Sequence, residues 1–246
     1  MNNVFVLIIV LFLIPLVLAG SVKIGVKMSI KGNISAVFYN VSNGFLTVNQ
    51  EFFNSGSVAY KTRIRLDVLN STDVMFTGWS KEETIMPGER KNFEIDWYTP
   101  KTENVVVRLI AYYGKEMTQR EMKLKIENNQ TSEDVIQIKN FRTYDDSVKF
   151  QIRSTTPLSN VIIIPENYMM GWVFEQKKIE NLNANKNIEV TIPYEPSVWL
   201  THDLNIAAVT EDGRYYSIFL FNLKKEEGFQ KYTNYILDKI DLFLNL

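Results

Sequence analysis

From Val58 to Leu69 apolar and polar residues alternate almost without a break. Val58, Tyr60, Thr62, Ile64, Leu66 and Val68 share one parity, and Lys61, Arg63, Arg65 and Asp67 share the other. A period of two carried by β-branched and aromatic residues predicts a strand with one face in a core and one in water. The pattern recurs in Phe93-Ile95-Trp97, in Val105 to Tyr113 and in Met122-Leu124-Ile126. Further on it appears in Val148-Phe150-Ile152, Ile188-Val190-Ile192 and Leu204-Ile206-Ala208. Asn43-Gly44 and Asp212-Gly213 between such runs are the pairs that tight hairpins favour, and Asn54-Ser55-Gly56 and Pro87-Gly88 are further stops. No segment between residues 22 and 223 sustains a helical period. The chain is therefore expected to be all-β and built of antiparallel sheets.

The order of elements repeats. Gly78-Trp79, a turn, an alternating strand and Tyr98-Thr99-Pro100 are echoed from Gly171-Trp172 through Asn183-Ala184-Asn185 to Tyr194-Glu195-Pro196. A spacing of this length suits a small all-β domain used twice, which predicts two tandem antiparallel β-sandwiches. The polar stretch from Glu127 to Asp134 holds no apolar residue and marks the boundary, giving domains at 22–127 and 134–223. From residue 224 the period changes. Phe229, Tyr232, Ile236, Ile240 and Phe243 fall three or four apart, with Lys231, Asn234, Asp238 and Asp241 opposite, which predicts a short C-terminal amphipathic α-helix over 224–246. That helix could dock on the strand at Tyr215–Leu223, bind a partner or self-associate, or lie on a membrane surface.

At the other end, residues 4–19 form an uninterrupted apolar block followed by small residues. Sixteen residues are short for a spanning helix, and Lys23, Lys27 and Lys31 follow it. Residues 1–20 are read as a signal peptide, or as an N-terminal anchor if uncleaved; only in the latter case would the leader tie the chain to a membrane. The expected localisation is secreted or cell surface.

Charge changes the picture by exclusion. The 27 basic and 28 acidic residues give a net charge of −1, with no basic run, so no field argues for nucleic acid. There is no cysteine, so neither a disulfide nor a lipid-accepting thiol is available, and an exported fold must rest on sheet packing. Four Asn-x-Ser/Thr sequences, at Asn33, Asn40, Asn70 and Asn129, are possible glycosylation sites in an exported chain.

Catalytic chemistry finds little support. His202 is the single histidine, no G-x-S-x-G or Gly-rich phosphate loop occurs, and the carboxylates do not alternate as a calcium loop requires. No cofactor, metal or catalytic residue is expected. Trp79 and Trp172 occupy equivalent places in the repeat and are read as packing positions, as is Trp97, in phase with Phe93 and Ile95. Trp199 has no counterpart and is the candidate ligand contact, for instance on a glycan, where an aromatic face stacks on a sugar. Lys61, Arg63 and Arg65 could meet an acidic polymer or form an ordinary solvated face.

The segment 44–114 resembles the prokaryotic immunoglobulin-like domains of the cell-adhesion-related (CARDB) type. The resemblance rests on Asn54-Ser55-Gly56 before a long alternating strand, on Met86-Pro87-Gly88-Glu89, and on the strand Phe93-Glu94-Ile95-Asp96-Trp97. It implies that the two tandem antiparallel β-sandwiches are immunoglobulin-like, seven-stranded in the family's pattern, with a surface-binding or spacer role and no shared catalytic residue. The second copy departs from it, with Pro193 where Trp97 would stand. The combined expectation is an exported, non-enzymatic cell-envelope protein with an adhesion, scaffold or accessory-binding role and a protein or glycan partner. The alternative is a carbohydrate-binding module using loop aromatics such as Trp199.

Overall fold

The computed structural model describes residues 28–71, 73–128, 135–169, 171–195 and 202–223. Among these the chain is all-β, and every strand ladder is antiparallel. The leader and the C-terminal helix anticipated from sequence lie outside the described residues, and no described helix is long and apolar enough to cross a membrane.

The first half supplies β1 (Gly32–Ser42), β2 (Phe45–Asn54), β3 (Tyr60–Asn70), β4 (Asp73–Trp79), β5 (Glu83–Ile85), β6 (Arg90–Tyr98), β7 (Glu103–Tyr113) and β8 (Glu116–Ile126). They form one sheet in the order β1-β2-β6 and another in the order β4-β3-β7-β8, with β5 also on β3. The alternating residues explain why the sheets stack. Leu46, Val48 and Phe52 from β2 and Ile95 and Trp97 from β6 meet Ile64, Leu66 and Val68 from β3 and Val107 and Leu109 from β7. Each side chain leaves water at roughly 25 cal/mol per Å² of apolar area.

The second half repeats the plan with β9 (Ile136–Thr143), β10 (Ser147–Ser154), β11 (Leu158–Glu166), β12 (Val173–Phe174), β13 (Lys177–Leu182), β14 (Ile188–Glu195), β15 (His202–Thr210) and β16 (Tyr216–Leu223). Its sheets run β9-β10-β14-β12 and β13-β11-β15-β16. The two plans differ at one strand: β4 pairs with β3, whereas β12, its counterpart in sequence, has crossed to pair with β14. Each half thus has eight strands among the described residues, against the seven that the resemblance implies.

Turn chemistry settles local geometry. Asn43 and Gly44 both have positive φ, 48° and 80°, and close a two-residue hairpin in which Ser42 faces Phe45. Asp212-Gly213 does not form such a turn. Val209 pairs with Tyr216, so the pair sits inside a longer loop, where Thr210 Oγ1 donates to Asp212 at 2.6 Å. The two turn motifs behind the resemblance, at Asn54-Ser55-Gly56 and Met86-Pro87-Gly88-Glu89, form one structural unit. The Asn54 side chain donates to the carbonyls of Val58 and Ile85 at 2.9 and 3.0 Å and accepts from Gly56 N at 2.9 Å. Its backbone bonds to Gly88 and Glu89. Asn54 is wholly buried yet fully satisfied, so it pins the Pro87-Gly88 turn to the end of β2.

The sandwiches are not beads on a string. Ile162 and Ile164 of β11 and Ala207 and Val209 of β15 belong to the core of the first sandwich, while Val161, Ile163, Ile206 and Ala208, one residue out of phase, pack in the core of the second. Successive side chains on a strand point to opposite faces, so this sheet has an apolar layer on both sides. Polar contacts trim the junction. Gln176 accepts from Asp96 N at 2.8 Å and donates to Asp96 O, which occupies the otherwise free edge of β6. The Tyr168 hydroxyl donates to Thr77 O on β4, and Trp79 forms an isolated bridge with Glu175. The turns at Asn43 and Asp212 meet through an Asn43 Nδ2 bond to Asp212 O at 2.9 Å.

One junction carboxyl makes stability pH-dependent. Asp96 is buried, and burial raises its pKa to about 6, opposed by a hydrogen bond from Thr47 and by Lys178 and reinforced by Glu94 and Glu211. Because the folded value lies above the unfolded value of about 3.9, the folded state holds this proton more tightly. The contribution is fully present below about pH 4 and is lost as pH rises through about 6. We expect wild-type unfolding free energy to fall across that window by on the order of 2–3 kcal/mol from this group. Asp96→Asn keeps an acceptor for Thr47 and should flatten the slope and be the more stable protein at pH 7. Urea unfolding from pH 3.5 to 8 measures it; equal slopes in the two proteins would contradict the assignment. Glu166, at the end of β11, acts with the same sign, since burial raises it to about 8.

Candidate functional site

The largest departure from the sequence reading is at the repeated tryptophans. Trp172 is fully buried in the second core, 5.9 Å from the ring of Tyr194 and edge-on to His202 at 6.2 Å. Trp79 is not a core residue. In β4, Phe76 and Gly78 face inward, and a Cβ on Gly78 would meet the Phe76 ring and Ile95, so Trp79 and Thr77 face outward. The strand exchange between β4 and β12 is the physical reason that equivalent sequence positions do not share an environment.

On the outer face of the first sandwich, register places Arg65 of β3 opposite Trp79 of β4, and Arg63 opposite Tyr112 of β7. Trp79 and Tyr112 are half-buried, with centroids 5.6 Å apart and planes tilted by 37°. The Arg65 guanidinium braces both, 5.7 Å from one ring centre and 5.8 Å from the other, and is held in turn by Asp67 at 2.8 Å. Beside the rings lies a depression of about 510 Å³ with Lys61, Arg63 and Glu82 on its walls and Val173 of the second sandwich at its rim. A volume of this order fits a small ligand.

The cations that could meet an acidic polymer or form an ordinary solvated face are each matched by a carboxylate. Lys61 pairs with Glu82 at 2.6 Å, Arg63 with Glu195 at 2.9 and 3.0 Å, and Arg65 with Asp67. The two bonds from Arg63 hold the Glu195 carboxyl below its ordinary value. Arg63 Nε, Arg65 Nε and Trp79 Nε1 are buried beneath this surface without an acceptor among the described residues, whereas the Lys61 ammonium and the Glu82 carboxylate on the wall stay open to solvent.

Other residues singled out by sequence fall as follows. Asn33 and Asn40 are exposed on β1 and Asn70 is exposed at the end of β3, sterically open to modification, while Asn129 lies outside the described residues. Trp199 and the helix positions Phe229, Tyr232, Ile236, Ile240 and Phe243 also lie outside them. His202 opens β15, and its Nε2 sits 2.7 Å from Asn167 O, so that nitrogen carries the proton in a structural bond. Trp97 is buried in the first core, as its phase predicts. Among the described residues no group of three or more His, Cys, Asp or Glu is placed to hold a metal ion. Tyr112 was passed over because it reads as one more residue of a strand. The available signal was its parity, opposite to that of Ala111 and Tyr113, which puts it on the Arg63 face.

No protein-family model matches the chain, and no curated protein matches it. Among solved structures, similarity is found to the red sea bream transglutaminase, with 6% identity, 82% of this chain and 32% of that one covered, and a TM-score of 0.29. An exo-chitosanase of Amycolatopsis orientalis shows 8% identity over 74% of this chain and 26% of its own, with a TM-score of 0.26. The YadV chaperone shows 10% identity over 72% of this chain and 92% of its own, with a TM-score of 0.24. The chain thus spans about a third of the transglutaminase and about a quarter of the chitosanase. At these TM-scores the likenesses carry no argument about activity or ligand.

Proposed function

We propose that the chain is an exported, non-enzymatic cell-envelope protein whose two immunoglobulin-like domains act as a scaffold that holds a binding surface in fixed orientation. The observation that carries this reading is the shared junction core: Ile162, Ile164, Ala207 and Val209 of one sandwich complete the core of the other. A spacer joined only by a linker would leave that face polar, whereas an apolar junction resists relative motion of the two bodies. The unit formed by Asn54 and the Pro87-Gly88 turn supports placing the first domain with the cell-adhesion-related type. The apolar block at residues 4–19 supports export.

The test is fractionation of cells expressing a C-terminally tagged chain, with N-terminal sequencing of the recovered protein. The reading expects the protein outside the cytoplasm with the leader removed near residue 20. Recovery of the whole population in the cytoplasm with Met1 intact would overturn it.

A further inference from the structure

The depression beside Trp79 and Tyr112 combines three properties that limit what can occupy it. First, its floor is two aromatic side chains fixed in place: Arg65 braces both rings, and Asp67 holds Arg65. Rings immobilised before a ligand arrives lose little conformational freedom on binding, so their contact area converts efficiently into affinity. Second, the site is electrically balanced. With Lys61 on Glu82 and Arg63 on Glu195, an anion would have to displace a carboxylate already seated on each cation. Third, its walls carry polar groups that a ligand can reach, the exposed Lys61 ammonium and Glu82 carboxylate.

An aromatic floor selects a ligand with a flat face of C–H bonds, and neutral walls disfavour a charged one. A reachable ammonium beside a carboxylate selects a ligand with hydroxyls that can both donate and accept. A pyranose ring has all three characters: axial C–H groups on one face, hydroxyls around its rim and no charge. An apolar ligand would take the Lys61 and Glu82 polar groups out of water without compensation, and an acidic peptide would find Lys61 and Arg63 already paired. We propose that this depression, formed by Trp79 and Tyr112 with Lys61, Arg63 and Glu82, binds a neutral pyranose unit of a glycan by stacking and flanking hydrogen bonds. The inference deepens the accessory-binding part of the reading above and rests on it. The site lies where the second sandwich adjoins the first, with Val173 at its rim and Glu195 supplying a wall contact, so the rigid junction also fixes its shape.

The experiment is titration calorimetry of the purified chain at 25 °C with cellohexaose, chitohexaose, mannohexaose and xylohexaose, and with polygalacturonate hexamers as an acidic arm. We expect at least one neutral hexamer to bind with a Kd of about 1 mM or tighter. Trp79→Ala and Tyr112→Ala should each weaken that binding by about tenfold or more, while Trp79→Phe, which keeps a ring, retains most of it. Thermal unfolding of each variant separates loss of binding from loss of fold, and Trp79→Phe keeps the test decisive if the alanine variant unfolds. Absence of binding to all four neutral hexamers overturns the proposal. So does tighter binding of the acidic arm, or binding lost in Trp199→Ala but unchanged in Trp79→Ala and Tyr112→Ala. A protein found outside the cytoplasm that binds none of these sugars would remove this site and leave the scaffold reading standing. A sugar-binding protein confined to the cytoplasm would do the reverse.

Discussion

Trp172→Ala should cost about 3–5 kcal/mol of unfolding free energy, and Trp79→Ala about 1 kcal/mol. The two residues look interchangeable in sequence, each following a glycine at the same point of the repeat. Their surroundings differ. Trp172 is 0% exposed and packs among Phe174, Tyr194 and His202, so its removal leaves a cavity that rigid β-strands cannot fill. Trp79 is half-buried on an outer face, where truncation loses one ring contact and one stacked guanidinium and opens no enclosed void. Urea unfolding of the two variants beside wild type measures the difference. Equal losses would mean that Trp79 at the end of β4 and Trp172 just before β12 are placed alike and that the strand exchange is wrong.

Asn54→Ala should cost about 2–4 kcal/mol, a large loss for deleting a small amide. The side chain makes three hydrogen bonds, two of them to backbone carbonyls that have been withdrawn from water. Removing it leaves those carbonyls without their donor and releases the Pro87-Gly88 turn from the end of β2. Asn54→Asp sharpens the test, because a carboxylate is nearly the same shape and still accepts from Gly56 N. It cannot donate, however, and it would face two carbonyl oxygens in a buried site. At pH 7 it should destabilise at least as much as alanine, which a purely steric role for Asn54 would not produce. Thermal and urea unfolding of both variants read this out, and an Asn54→Asp protein as stable as wild type would contradict it.

Much of the fold was legible because β-strands write their two faces into alternating positions. The run from Val58 to Leu69 became β3 with Ile64, Leu66 and Val68 at 0% exposure, as its period requires. Parity says which residues share a face, though not which face is buried. In β4 the inward face holds Phe76 and Gly78 while the outward face holds Met75, Thr77 and Trp79, and the bulkier set lies outside. Only the pairing of β4 with β3 decides between them, and pairing is a property of distant residues.

The junction left a trace that alternation alone overlooks. Val161-Ile162-Ile163-Ile164 and Ile206-Ala207-Ala208-Val209 are unbroken apolar runs, and a strand apolar at every position has both faces covered. For the comparable run at Tyr215–Leu223, cover by the C-terminal helix was one of three open readings, and that helix lies outside the described residues. In the structure Tyr216 meets Tyr98 at 4.8 Å and Phe221 stacks on Phe141 at 3.8 Å, while Ile218 and Leu220 are exposed. The candidate site was harder to see, since it is assembled from single residues on β3, β4 and β7 whose proximity only the register reveals.

The central claim is that two sandwiches sharing a core behave as one body, and calorimetric unfolding of the purified chain tests it most directly. A shared core predicts a single transition whose calorimetric enthalpy equals its van't Hoff enthalpy. Two resolved transitions, or a calorimetric enthalpy about twice the van't Hoff value, would show that the halves unfold independently and would contradict it.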